Sequence, residues 1–330
     1  MVIIATIIVA ITLIIANANP IAFVRNNFHV DRSQAQVLGV SEANGDMPAA
    51  TAASAVTIVP ESKPVSAENP PAPAIKSVYK KTPDISARAA IVMDVKSQKV
   101  LWEKNINEQS SIASITKLIT ALVALKHEPD FAREYVMRED DRREGGRINL
   151  FWGDKITVKD LFNASLVGSD NTATIALVHA LGFSETEFVA KMNEQAAELG
   201  LKDTVFVDPI GLSSNNKSTA SEVAKIAASA FLKDQIRRTV TQRRYVLTTK
   251  QGKTRIIEST DDLLVEKTAY EVLGGKTGYL NSAGFCFTGK FSQDGREIIS
   301  VVLGSNSVDT RFSDTDALVA WAYENYVWPK

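Results

Sequence analysis

The chain has 330 residues, 45% of them hydrophobic, and nearly balanced charge: 37 Lys and Arg against 38 Asp and Glu, net −1. That length holds one large domain or two ordinary ones, and the absence of a basic excess argues against a nucleic-acid binder, which must neutralise phosphates. Cys286 is the only cysteine, which excludes an intrachain disulfide but leaves the compartment open, because many exported enzymes carry none.

Met1 to Ile15 form an uncharged apolar run, followed by the small residues Ala16-Asn17-Ala18. The run falls short of the about 20 residues that span a bilayer comfortably. Region 1–18 is expected to be a signal peptide or a retained N-terminal membrane anchor. Either way the remainder is expected to be extracytoplasmic: in the cell envelope, in the periplasm or on the outer face of the cytoplasmic membrane, secreted or N-terminally anchored. Region 19–84 is rich in Ala, Pro and Ser, with no aromatic residue between Phe28 and Tyr79. Such composition cannot bury enough apolar surface to offset its ordering entropy, so it reads as a flexible spacer.

A folded domain is expected over 85–330. Ala89 to Asp94 and Lys99 to Lys104 read as a β-hairpin. Helical periodicity follows at Ser114 to Leu125, Val158 to Ser165, Asn171 to Leu181, Ser184 to Leu199 and Ala220 to Leu232. Ser184 and Glu187 have the spacing of a capping box. Strand patterns return at Arg244 to Thr248, Gly284 to Phe291 and Glu297 to Leu303, and a last helix is expected from Thr315 to Tyr326. Strands at both ends around a block of helices predict an α+β domain whose sheet is closed by both ends of the chain. Cys286 alternates with apolar residues and reads as a buried strand residue.

Three short motifs carry chemistry: Ser114-Ile115-Thr116-Lys117, Ser169-Asp170-Asn171 and Lys276-Thr277-Gly278. Spacing of i,i+3 puts Lys117 on the helix face of Ser114, where a serine also feels the positive end of the helix dipole. Ser169 or Asp170 could equally be a simple helix cap. Lys276-Thr277-Gly278 could equally be a glycine-rich turn ahead of a strand. SxxK recurs at Ser77 and Ser214, so that motif alone is weak. The three histidines, His29, His127 and His179, lie in no catalytic context, so a Ser-His-Asp triad is not expected. A lysine must then act as base, which requires its neutral form to be favoured by burial or by nearby cations. Lys276 near Lys117 is one expected source of that effect.

In their order and spacing these motifs resemble the low-molecular-mass serine penicillin-binding proteins, the D-alanyl-D-alanine carboxypeptidase family. The phrases Leu101-Trp102-Glu103-Lys104-Asn105, Gly153-Asp154-Lys155-Ile156-Thr157, Asp208-Pro209-Ile210-Gly211-Leu212, Ser282-Ala283-Gly284 and Arg311-Phe312 extend the resemblance from Ile85 to the C-terminus. It implies a penicillin-binding protein/β-lactamase-like fold, with an antiparallel sheet packed against a helical subdomain. It implies Ser114 as nucleophile attacking the carbonyl between two D-alanines of a peptidoglycan stem peptide, and Lys117 as its base. Ser169 and Asn171 would hold Lys117 and relay a proton. Lys276, Thr277, Gly278, Tyr279 and Arg311 would form the substrate site, with Lys276, Thr277 and Arg311 on the terminal carboxylate. Backbone N–H groups of Ser114 and Tyr279 would form the oxyanion hole. β-Lactams are expected as inhibitors, and no metal or organic cofactor is implied.

Two features depart from the pattern. Asp170 stands where these carboxypeptidases commonly have glycine and class A β-lactamases have aspartate. No Glu-x-x-x-Asn spacing follows Ser169, so the deacylating glutamate of those lactamases is not expected. The chain ends at Lys330, so any membrane attachment is expected from the N-terminal segment. A DD-endopeptidase, a β-lactamase on the same scaffold and a non-catalytic penicillin- or wall-binding module remain alternatives.

Overall fold

The computed structural model describes residues 70–146, 149–266 and 268–329. The expected signal or anchor segment, and most of the expected spacer, lie outside these residues. In chain order the elements are β1 (Ala74–Ile75), β2 (Ala89–Asp94), β3 (Val100–Lys104), β4 (Ser110–Ser111), α1 (Lys117–Lys126), β5 (Glu134–Val136) and β6 (Lys155–Thr157). Then come α2 (Val158–Val167), α3 (Asn171–Ala180), α4 (Glu185–Glu198), β7 (Lys217–Ser218), α5 (Ala220–Phe231) and α6 (Asp234–Val240). The chain finishes with β8 (Arg244–Thr248), β9 (Thr254–Glu258), β10 (Glu271–Leu280), β11 (Gly284–Gln293), β12 (Arg296–Ser305), α7 (Val308–Asn325) and β13 (Tyr326–Val327).

A five-stranded antiparallel sheet runs β10-β11-β12-β2-β3, so the first hairpin joins the last three long strands as expected. Side chains alternate across a strand with period two. Ala89, Ile91 and Met93 therefore enter a core shared with α1 to α6, while Ala90 and Val92 enter a second core under α7. Covering both faces explains why β2 is apolar from Ala89 to Met93 instead of alternating with polar residues. Thr157 and Ser184 cap α2 and α4, each with a carboxylate three residues on completing the box.

Three expectations are corrected. The Lys276 segment is not a turn but the middle of β10, the edge strand of the sheet. The last helix starts not at Thr315 but at Val308, capped by Ser307, so Arg311 sits in its first turn. Residues 70–84 are not spacer. β1 pairs with β13, Pro73 O accepts from Lys99 Nζ at 2.7 Å, and Lys80 O accepts from the Trp321 indole at 3.0 Å. These contacts reach the Lys99 side chain, the Trp321 indole of α7 and β13 after it, partners distant in sequence that composition cannot reveal.

A chain beginning at Ile85 should therefore melt lower than one beginning at Pro70. It leaves the N–H of the buried Trp321 without its partner, a loss of about 1–3 kcal/mol. In a domain this size each kcal/mol moves Tm by about 2–4 °C. Equal Tm values in thermal melts of the two chains would show that this edge contributes no stability.

Candidate active site

Ser114 lies in a 3₁₀ turn, Ala113–Thr116, that runs into α1. The residue before it, Ala113, has φ +47°, a left-handed conformation that costs a side-chain-bearing residue of order 1–3 kcal/mol and persists where surrounding structure enforces it. Lys117 follows at the start of α1 with no exposed surface. Its Nζ is 3.0 Å from Ser114 Oγ, 2.7 Å from Asn171 Oδ1 and 2.7 Å from Ile210 O. Two of these neighbours can only accept. A neutral amine gives its two N–H to Asn171 and Ile210 and keeps its lone pair for the serine hydroxyl. Burial pushes Lys117 down to about 7, with Asp208 and Asp170 pulling the other way. The expected like-charge effect of Lys276 on Lys117 is not the cause; desolvation is. The repulsion acts on Lys276, which burial first and Lys117 second hold well below the ordinary lysine range.

The Ile210 carbonyl is set by a tight turn. Asp208 Oδ1 accepts the N–H groups of Ile210 at 2.8 Å and Gly211 at 2.5 Å, and Asp208 Oδ2 accepts that of Ser213 at 2.7 Å. Buried Asn216 ties this turn to Thr116 and to Asp208 O. Gly211 has φ +82°, and a Cβ there would lie 2.0 Å from Ala113 O.

Ser169 has φ +55°, which turns the chain ahead of α3. Asp170 is the helix cap, accepting from Ala173 N at 2.9 Å, and its other oxygen accepts from Asn149 N and Nδ2. Its burial raises its pKa against these bonds. Asn171, one residue on, gives its Nδ2 to Glu144 O and Gly145 O, which fixes Oδ1 toward Lys117. Ser169 differs from expectation: its Oγ accepts from Lys276 Nζ at 2.8 Å, and its partner is that lysine and not Lys117.

Lys276 is 1% exposed and also donates to Thr277 O. The residues of this strand that line the cleft are Thr277, Gly278, Tyr279 and Leu280, joined by Arg311 from α7. Thr277 Oγ1 donates to Thr260 Oγ1 at 2.6 Å. Gly278 faces the nucleophile turn: a Cβ there would meet Ile112 O at 2.8 Å. Tyr279 stacks on Phe285 and is half exposed. Arg311 lies over the Phe312 ring, and burial lowers its pKa. The cleft they share with Ser114, Ser169 and Asn171 has a volume of about 460 Å³. Seven of the nine expected residues thus line one cleft, and the other two, Lys117 and Lys276, lie buried behind it, bonded to Ser114 and Ser169. Ile210, Asp208 and Thr260 were not expected; only the Asp-Pro-x-Gly turn hinted at the first two.

Among the described residues no histidine joins them: His179 binds Asp141 at 2.6 Å, and His127 packs on Phe183. Cys286 is buried opposite Gly278 in β11, its thiol pushed up to about 11 by burial. That excludes a thiolate nucleophile at neutral pH.

The chain is 31% identical over 247 residues to D-alanyl-D-alanine carboxypeptidase DacF of Bacillus subtilis, covering 73% of this chain and 63% of that protein, less than two thirds of its length. It is 27% identical to the D-alanyl-D-alanine endopeptidase of Escherichia coli, covering 75% of this chain and 80% of that one. Among solved structures, the Streptomyces K15 DD-transpeptidase superposes with a TM-score of 0.69 at 27% identity, over 74% of this chain and 99% of that one. The D-alanyl-D-alanine carboxypeptidase of Mycobacterium tuberculosis H37Rv gives 0.69 at 27% identity, over 78% and 97%. A family model, peptidase S11, D-alanyl-D-alanine carboxypeptidase, matches residues 76–307. The chain belongs to this family and has the α+β fold of the penicillin-binding DD-peptidases.

Proposed function

We propose that this protein is an exported serine D-Ala-D-Ala carboxypeptidase that removes the terminal D-alanine of peptidoglycan stem peptides through an acyl-serine. The observation that carries the reading is the buried Lys117 amine against Ser114 Oγ, with both N–H groups engaged elsewhere. Ser114 Oγ attacks the carbonyl between the two D-alanines as Lys117 takes its proton. The oxyanion is held by the N–H groups of Ser114 and Tyr279; losing one such donor typically costs about 2.7–4 kcal/mol of barrier. The C–N bond then breaks, and the proton that Lys117 took passes through the Ser169 hydroxyl, which Lys276 orients, to the leaving amine, so that Lys117 is neutral again. Water, deprotonated by Lys117, releases the shortened peptide and restores the serine. As the edge strand, β10 offers unpaired backbone groups along which the peptide can lie as an added strand. The apolar N-terminal run supports export, whether cleaved or retained as an anchor.

Incubating the protein with a stem pentapeptide and weighing the product tests this. Loss of one alanine is expected; an intact peptide in the presence of folded, penicillin-reactive protein contradicts it. A second reading, a DD-endopeptidase, is favoured by the likeness to the Escherichia coli endopeptidase over most of that protein's length. Cleavage of a cross-linked dimer faster than of the pentapeptide would select it.

Arg311 and Thr277 are the polar groups placed to meet the terminal carboxylate, since Lys276 is covered. Arg311→Ala should raise KM about tenfold or more with a smaller change in kcat, because a charge-assisted hydrogen bond is worth about 1.5–3 kcal/mol. Amidating the substrate's carboxylate should cost wild type a similar amount and the variant little. Losses that simply add would show that Arg311 does not see that carboxylate.

A further inference from the structure

Asp261 takes no part in the chemistry above. It lies between β9 and β10 and caps a short 3₁₀ turn, Asp262–Leu264. The cap uses only Oδ1, which accepts from Leu263 N at 3.1 Å. Oδ2 is buried and has no hydrogen-bond partner. An Asn or Ser would cap as well as an Asp, so the cap does not explain an acid here.

The side chain is pressed against β10. A Cβ on Gly275 would come within 2.6 Å of Asp261 Oδ2 and 2.4 Å of the Phe287 ring, so only glycine permits this approach. The adjacent residues Thr260 and Thr277 are hydrogen-bonded in the cleft wall. Arg311 Nε is likewise buried without a partner. An acid with a spare oxygen and a guanidinium with a spare N–H are thus enclosed near one strand without pairing. The charged groups acting on Asp261 are Asp262 on its own turn, Lys276 on β10 and Arg311 on α7; β11 offers only the Phe287 ring.

We propose that Asp261 is a positioning residue for the substrate's carboxylate, acting through Arg311. As a neutral acid it leaves the field of the guanidinium to the bound carboxylate. As an anion it takes up part of that field and weakens binding. Burial pushes the Asp261 carboxyl up to about 7, the cations only partly opposing it, so the change of state falls at working pH. By linkage, a bound carboxylate favours the protonated acid, and raising pH through this range weakens binding. The inference rests on the reading that Arg311 and Thr277 meet the carboxylate.

Benzylpenicillin carries a carboxylate beside its scissile amide, so its acylation rate reports on this pocket without peptide turnover. The second-order acylation rate is measured for wild type, Asp261→Asn and Asp261→Ser between about pH 6 and 9, a range that spans the transition. Titration of Lys117 acts on all three proteins alike and cancels in the ratio of variant to wild type. That ratio should rise about fivefold or more with pH, the low end of a typical coupling. A ratio independent of pH overturns the proposal. So does failure of both variants to fold, which would make the side chain structural. The carboxypeptidase reading is judged separately, by the pentapeptide product.

Discussion

Lys117→Met should lower kcat/KM for a D-Ala-D-Ala peptide by about 10³–10⁴-fold while the protein stays folded. A positioned general base contributes typically about 10²–10⁴-fold, and here the same amine serves both acylation and deacylation. Methionine fills a similar volume. Its cost is the buried acceptor Asn171 Oδ1 left without the Lys117 donor, about 1–3 kcal/mol, and Ile210 O left with only the Ser114 hydroxyl at 3.5 Å. Removal of a buried amine that must shed its charge offsets part of this. Lys117→Arg should be as inactive, because a guanidinium cannot give up its proton in this range.

Wild type should also show an ascending limb in kcat/KM near pH 7. The base works only when neutral, and Lys117 loses its proton as pH rises through about 7. Activity therefore falls toward acid. A limb near 10, where an ordinary exposed lysine titrates, would mean that Lys117 is not the base.

Gly211→Ala should be nearly as damaging, although no atom of Gly211 side chain takes part in chemistry. The new methyl would lie 2.0 Å from Ala113 O and 2.9 Å from Ser114 N. Those are backbone atoms, so relief must come from moving the Ser114 turn or the Ile210 carbonyl. Alanine at φ +82° adds about 1–2 kcal/mol of backbone strain. A displacement of about 1 Å at a reacting group can cost about 10²-fold in rate. The variant should thus lose both melting temperature and kcat/KM by that order. Unchanged kinetics in a variant with wild-type Tm would show that the turn does not hold the nucleophile.

These two sites differ in how far the sequence reveals them. Ser114 and Lys117 are legible because i,i+3 spacing on a helix start states their proximity directly. Asn171 and Lys276 are legible only through a motif, since the bonds that aim them come from distant segments: Glu144 O and Gly145 O for one, Ser169 Oγ for the other. The Ile210 carbonyl is invisible, because a backbone oxygen has no side-chain signature. The strand character of β10 was hidden by Gly274 and Gly275. Neither glycine makes a turn: Gly274 takes φ +124° at a register shift of the strand, where a Cβ would also meet Val240 at 2.4 Å, and a Cβ on Gly275 would meet Phe287 and Asp261. The start of α7 was missed because Thr310, instead of Glu or Gln, closes the capping box with Ser307. The sheet was easier, since hydrophobic runs of strand length at both ends of the chain leave few other partners for one another.

The most direct test of the account is intact-mass analysis after brief exposure to benzylpenicillin, followed by peptide mapping. One adduct per chain is expected, on the peptide carrying Ser114. It should persist because no glutamate stands at Glu-x-x-x-Asn spacing after Ser169, and it should be absent in Ser114→Ala. An adduct on another residue, or rapid turnover of penicillin with no lasting acyl-enzyme, would contradict the assignment of Ser114 in a DD-peptidase site.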